Sequence, residues 1–60
     1  MKIKCPVCGK GIIPDAWEEC PVCGWLEDPF QEDDPDMDGG NNKMSLNQAR
    51  KAWKDGKKVE

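Results

Sequence analysis

Cys5-Pro6-Val7-Cys8-Gly9 and Cys20-Pro21-Val22-Cys23-Gly24 are the same five residues written twice, and together they hold every cysteine of the chain. Two Cys-x-x-Cys pairs with eleven residues between them have the spacing of a four-thiolate metal site. Two cysteines three apart grip one ion only if the chain between them turns tightly. Pro6 and Pro21 fix φ near the value such a turn needs. Gly9 and Gly24 follow the second cysteine, where the knuckle calls for φ above zero. The turn also aims backbone N–H groups at the sulfurs, which steadies thiolates on a metal. The predicted ligands are Cys5, Cys8, Cys20 and Cys23.

Two other uses of these thiols compete with a metal. A pair of disulfides suits a secreted mini-protein, but Lys2-Ile3-Lys4 precedes the first cysteine, with no apolar leader. A redox Cys-x-x-Cys stands alone on a βαβ scaffold. Here the motif is doubled, and 60 residues are too few for that fold. Four thiols held on a metal suit a reducing compartment, so a cytoplasmic location is expected. No stretch approaches the ~20 apolar residues of a membrane span.

A chain of 60 residues forms one small domain, and a domain this size commonly needs a staple. Its large apolar residues are Ile3, Ile12, Ile13, Trp17, Val22, Trp25, Leu26, Phe30, Leu46 and Trp53. The metal is therefore expected to contribute folding energy outright. Residues 2–4 read as a strand entering the first knuckle. Gly11-Ile12-Ile13 and Trp17-Glu18-Glu19 flank the turn signal Pro14-Asp15-Ala16, which predicts a β-hairpin leading into the second knuckle. Trp17 and Trp25 are expected to cover the metal. The long segment that follows has Pro29, Pro35, Gly39-Gly40, Asn41-Asn42 and no periodicity, and it reads as a loop pinned by Phe30. Ser45 and Gln48 form a capping box. Leu46, Ala49, Ala52 and Trp53 share one face of the helix that follows, predicted over residues 46–55 with Gly56 just beyond its end.

The predicted fold class is thus a small α+β metal-stapled domain: a zinc-ribbon or rubredoxin-like knuckle pair with a β-hairpin, a long acidic loop and a C-terminal helix. Residues 1–56 form the single metal-binding domain, with the ribbon over 1–26, the acidic loop over 27–44 and the helix segment over 45–56. Residues 57–60 are expected to be a flexible tail.

Charge is segregated along this plan. Residues 27–38 carry Glu27, Asp28, Glu32, Asp33, Asp34, Asp36 and Asp38 with no base, while the bases of the C-terminal third include Arg50, Lys51 and Lys54. The formal net charge is −3, and a divalent ion on four thiolates adds roughly two more negative charges. That balance disfavours nucleic acid. The acidic loop is expected either to fold back on Arg50, Lys51 and Lys54 as exposed pairs, or to dock a cationic protein partner. Asp34, Asp36, Asp38 and Gly39 resemble the opening of a calcium loop, but the twelfth place is Ser45 rather than glutamate, so a solvated acidic loop is expected instead. No membrane partner is expected, and the chain is expected to be a monomer.

A longer pattern carries a family resemblance. Glu19-Cys-Pro-Val-Cys-Gly-Trp-Leu-Glu-Asp-Pro-Phe-Gln, then Asp-Pro-Asp-Met-Asp-Gly-Gly-Asn-Asn-Lys-Met-Ser-Leu-Asn-Gln-Ala-Arg, resembles the bacterial cysteine-rich CPCC domain family over about residues 5–53. That family has a similar Cys-Pro-x-Cys-Gly-Trp knuckle, acidic Asp-Pro-x-Gln loop, Gly-Gly-x-Asn turn and Ser-Leu-x-x-Ala helix start. It is named for Cys-Pro-Cys-Cys in the first knuckle, where this chain has Val7, so chemistry needing a fifth thiol does not carry over. The resemblance implies a small metal domain and supplies no substrate. The knuckles alone also resemble those of rubredoxins and the rubredoxin-like domains of rubrerythrins, which hold iron and transfer single electrons.

Four thiolates suit zinc and iron alike; zinc is the expected occupant and iron the alternative. No histidine, tyrosine or threonine is present, and Ser45, the one serine, is assigned to the helix cap. The expected function is a non-catalytic structural zinc module that binds another protein. An iron electron carrier is the alternative, and a nucleic-acid-binding zinc ribbon a weaker one.

Overall fold

The computed structural model describes residues 2–60; Met1, the first residue of the expected ribbon, lies outside them. Four elements follow in order: strands β1 (Ile3–Lys4) and β2 (Ile12–Ile13), and helices α1 (Pro29–Asp33) and α2 (Leu46–Lys54). The strands pair antiparallel with Ile3 opposite Ile13 and Lys4 opposite Ile12. Side chains alternate accordingly. Ile13 is buried and Ile3 half-buried, while Lys4 and Ile12 are exposed.

A β-hairpin is present, but its partners differ from those expected. The strands flank the first knuckle rather than the segment between the knuckles. The knuckle is itself the chain reversal: Gly9 N–H donates to Cys5 O at 3.0 Å and Cys5 N–H to Gly11 O at 2.9 Å. The second knuckle repeats this, with Gly24 N–H to Cys20 O at 3.0 Å and Cys20 N–H to Trp25 O at 2.8 Å, closed by a bridge between Glu19 and Leu26. Pro14, Asp15 and Ala16 do form a turn, since Glu18 N–H donates to Asp15 O at 3.3 Å. Trp17, within that turn, takes φ +69°.

The acidic segment contains a short helix that composition hid. Asp28 caps α1, its side chain accepting from Phe30 N–H and Gln31 N–H, and Pro29 sits in the first turn. Phe30, expected to pin this segment, is 66% exposed and meets the exposed ring of Trp17 rather than the core. The pin is Gln31, which is fully buried. Its Nε2 donates to Met37 O at 3.0 Å and Met44 O at 2.9 Å, and its Oε1 accepts from Asn42 Nδ2 at 2.8 Å. Asn42 in turn pairs with the backbone of Leu26 as a strand would, its Oδ1 accepting from Leu26 N–H at 2.9 Å and its Nδ2 donating to Leu26 O at 2.7 Å. A buried amide with its donors and acceptors paired holds a loop as firmly as an apolar plug.

Helix α2 follows its sequence signals. Gln48 N–H donates to Ser45 Oγ at 3.1 Å, and Ser45 N–H to Gln48 Oε1 at 2.9 Å, so the capping box is reciprocal. Leu46, Ala49 and Ala52 are buried. At the other end Gly56 takes φ +72°. Lys57 N–H reaches Ala52 O at 2.7 Å and Gly56 N–H reaches Trp53 O at 3.1 Å, the paired bonds of a Schellman close. The helix is tied to the first knuckle by Arg50 Nε, which donates to Pro6 O at 2.9 Å.

Residues 57–60 were expected to fray. Instead Val59 is buried in the core and Met44 N–H donates to Glu60 O at 2.8 Å. The core gathers Ile13, Trp25, Leu46, Ala49 and Val59 around Cys5 and Cys20. Ile12, Val22 and Trp17, counted as core candidates, are about half exposed or more. Glu27 is buried with Oε1 lacking a partner. Burial, then the carboxylate of Glu32 and the charge of Asp28, push its carboxyl up to about 8.

These roles separate under mutation. Gln31→Ala leaves the Asn42 amide and two carbonyls without their partner and is expected to cost about 3 kcal/mol or more. Phe30→Ala is expected to fall within about 0.5 kcal/mol of wild type. Denaturant unfolding of the metal-loaded protein checks both; equal losses would show that the loop is held by apolar contact after all.

Candidate metal centre

Each ligand stands where its knuckle puts it. Gly9 and Gly24 have φ +69° and +86°, the left-handed conformation anticipated for both. The four Sγ atoms of Cys5, Cys8, Cys20 and Cys23 lie within 4.8 Å of one another. The closest approaches run between the knuckles, Cys5 to Cys23 at 3.5 Å and Cys8 to Cys20 at 3.7 Å. Tetrahedral coordination with bonds of ~2.3 Å has edges of ~3.8 Å, so the sulfur cage fits one ion. All four are free thiols. Cys5 and Cys20 are buried, and Cys8 and Cys23 half-buried.

The backbone supplies the donors that a thiolate cluster needs. Val7 N–H points to Cys5 Sγ, Gly11 N–H to Cys8 Sγ and Val22 N–H to Cys20 Sγ, each at 3.4 Å. Burial raises the Cys5 and Cys23 thiols above their ordinary value. At Cys8 burial acts the same way, but the backbone N–H groups of Gly11 and Lys10 outweigh it and bring the thiol down to about 7. Burial thus opposes ionisation at Cys5 and Cys23, and a divalent cation among the sulfurs offsets that opposition. Metal binding here therefore releases protons.

Gly11 is a site residue that the spacing did not reveal. A Cβ built on it would overlap Cys20 Sγ and would come within 3.2 Å of Val22 Cγ2. The absence of a side chain at Gly11 lets the second knuckle close on the first. A glycine at the start of a strand is the signal that could have exposed this, since such glycines mark close approaches.

Of the two tryptophans expected over the metal, only Trp25 joins the core that includes ligand cysteines. Trp25 is fully buried in the cluster that contains Cys5 and Cys20. Trp17 is 53% exposed and faces Phe30 instead. The acid run that opens like a calcium loop is not gathered: among the described residues, the only group of three or more metal-ligating side chains is the cysteine set. Asp36 Oδ1 instead accepts from Asn47 Nδ2 at 2.9 Å. The loop acids do not fold back on the helix bases either. Among the described residues the one ion pair joins Lys51 of α2 to the C-cap residue Asp55, at 4.0 Å.

Two knuckles, a hairpin and four converging thiols define a small metal-knuckle domain with a four-cysteine metal-binding site. The chain belongs to the cysteine-rich CPCC family, whose model matches residues 3–56. Val7, at the third place of the knuckle for which the family is named, is partly buried against the core. Among curated proteins none matches the chain. No helix among the described residues is long and apolar enough to cross a membrane.

Gly11→Ala should weaken metal binding about tenfold or more, because Cys20 Sγ must move to admit the methyl group. Competition against a chromophoric chelator measures this. Wild-type affinity in the variant would show that the second knuckle shifts freely.

Proposed function

We propose that this chain is a non-catalytic structural zinc module that binds another protein through its acidic loop, as a monomer in the reducing cytoplasm. The observation that carries this reading is the pairing of a closed metal site with an ordered but electrostatically unpaired loop. Four thiolates fill the coordination sphere of a tetrahedral ion and leave no open place for a substrate. The loop is built around Gln31 and Asn42, yet Asp33, Asp34, Asp36 and Asp38 are exposed. Its carboxylates make no ion pair among the described residues. An ordered surface of one sign favours encounter with a surface of the other sign. Its sign is wrong for phosphate backbones, which sets nucleic acid aside.

Iron is the second reading, and the N–H···S bonds from Val7, Gly11 and Val22 favour keeping it, because such bonds also tune an iron–sulfur potential. Zinc is expected in elemental analysis of protein purified without added metal, with a colourless solution. A red ferric tetrathiolate spectrum would replace the structural module with an electron carrier. The interaction half is checked by pull-down at low and high ionic strength. Wild type is expected to retain a partner that salt releases and that Asp33→Asn/Asp34→Asn/Asp36→Asn loses. Identical recovery by both proteins would leave the loop as a solvated cover.

A further inference from the structure

We propose that the exposed Trp17–Phe30 pair is the docking point of this domain and that it receives an arginine side chain of a protein partner. The inference rests on the reading of the chain as a protein-binding module and names the surface and the chemistry that surface selects.

Trp17 has an unfavourable backbone conformation. It is the one non-glycine residue with positive φ among those described, at +69°. Bulky L side chains rarely adopt that conformation, and a glycine would take it freely. The conformation does not bury the indole, which is 53% exposed. Phe30, at 66% exposed, is likewise spared from the core, because Gln31 holds its segment. The two rings meet each other, with centroids 6.0 Å apart and planes at 47°. Glu27 N–H donates to Glu18 O at 2.9 Å and fixes the Trp17 turn beside the start of α1. Two large aromatic residues from separate segments thus form a preset surface pair that the fold does not consume.

The charges around the pair define the occupant. Asp15 and Glu18 flank Trp17 in its turn, and both are exposed. Asp33 lies three residues beyond Phe30, on its side of the short helix, and Asp34 caps that helix; both are exposed as well. An apolar partner would have to strip water from these carboxylates. A phosphate or an acidic peptide would be repelled. A guanidinium satisfies both features, stacking its plane on an aromatic face and donating to carboxylates through its edge. Lysine offers a point charge without the plane. Tryptophan and arginine are also the residues most often found at the energetic centre of interfaces.

The test uses the metal-loaded protein and an alternating glycine–arginine pentapeptide, blocked at both ends, with lysine and glutamate analogues as comparators. Proton–nitrogen spectra at low ionic strength are expected to show saturable shifts of the Trp17 indole and of the Phe30, Asp33 and Asp34 amides. The arginine peptide is expected to bind more tightly than the lysine peptide, and the glutamate peptide not at all. Trp17→Gly is expected to weaken binding ~3-fold or more while its Tm falls by less than ~4 °C or rises, since the substitution relieves the backbone. A merely structural tryptophan would give the opposite pattern. Phe30→Ala is a second variant with the same expected loss of binding. Arginine-peptide affinity unchanged in both variants, or equal affinity for the lysine peptide, overturns the aromatic site while leaving the acidic loop as a binding surface. Binding of no peptide, together with no salt-released partner in the pull-down, removes both. Concentration-dependent dimers that Trp17→Gly abolishes would assign the pair to a second copy of the chain and also overturn the proposal.

Discussion

Four sulfurs drawn to one point are the constraint on which the rest of this molecule depends. The two strands are two residues each, far too short to hold together unaided. Helix α2 has nine residues, and isolated helices of that length are marginal in water. What the chain has instead is a pair of tight loops, each presenting two thiols and aiming N–H groups at its sulfurs. The knuckles close on each other because Gly11 has no side chain to keep Cys20 away. An ion at the centre binds thiols from both knuckles and so crosslinks them.

From that crosslink a ring of polar contacts runs round the domain. The second knuckle fixes Leu26 through its bridge to Glu19. Asn42 binds both backbone groups of Leu26, Gln31 binds Asn42, and Gln31 also reaches the carbonyl of Met44 at the threshold of α2. The helix then returns to the first knuckle through Arg50 and Pro6. The acidic segment is therefore ordered by amides rather than by grease. This leaves Phe30 and the carboxylates of Asp33, Asp34 and Asp38 exposed, while Asp28 caps α1 and Asp36 accepts from Asn47.

How much of this was legible depended on whether a signal was local. The ligands, the positive φ of Gly9 and Gly24, the capping box at Ser45 and the close at Gly56 all follow from residues within a few positions of one another. The strand pairing was misplaced because Pro14-Asp15-Ala16 looks like a hairpin turn, whereas the knuckles themselves reverse the chain. Helix α1 was hidden by acid composition, although Asp28-Pro29 is a fair start signal. Gln31 was overlooked because a buried glutamine has no sequence mark; its partners Met37, Asn42 and Met44 come from elsewhere in the chain. Val59 was assigned to a tail by position, yet it completes the core beside Leu46. Gly11 required knowing how closely Cys20 approaches.

Metal convergence is expected to organise the entire ring and not merely the knuckles. Stripping the ion with a strong chelator, with complete removal checked by elemental analysis, tests it through the proton–nitrogen spectrum. Dispersion is expected to collapse throughout, with the side-chain amides of Gln31 and Asn42 losing their distinct shifts together with the knuckle amides. A dispersed spectrum after complete removal, with those side-chain amides unmoved, would contradict it.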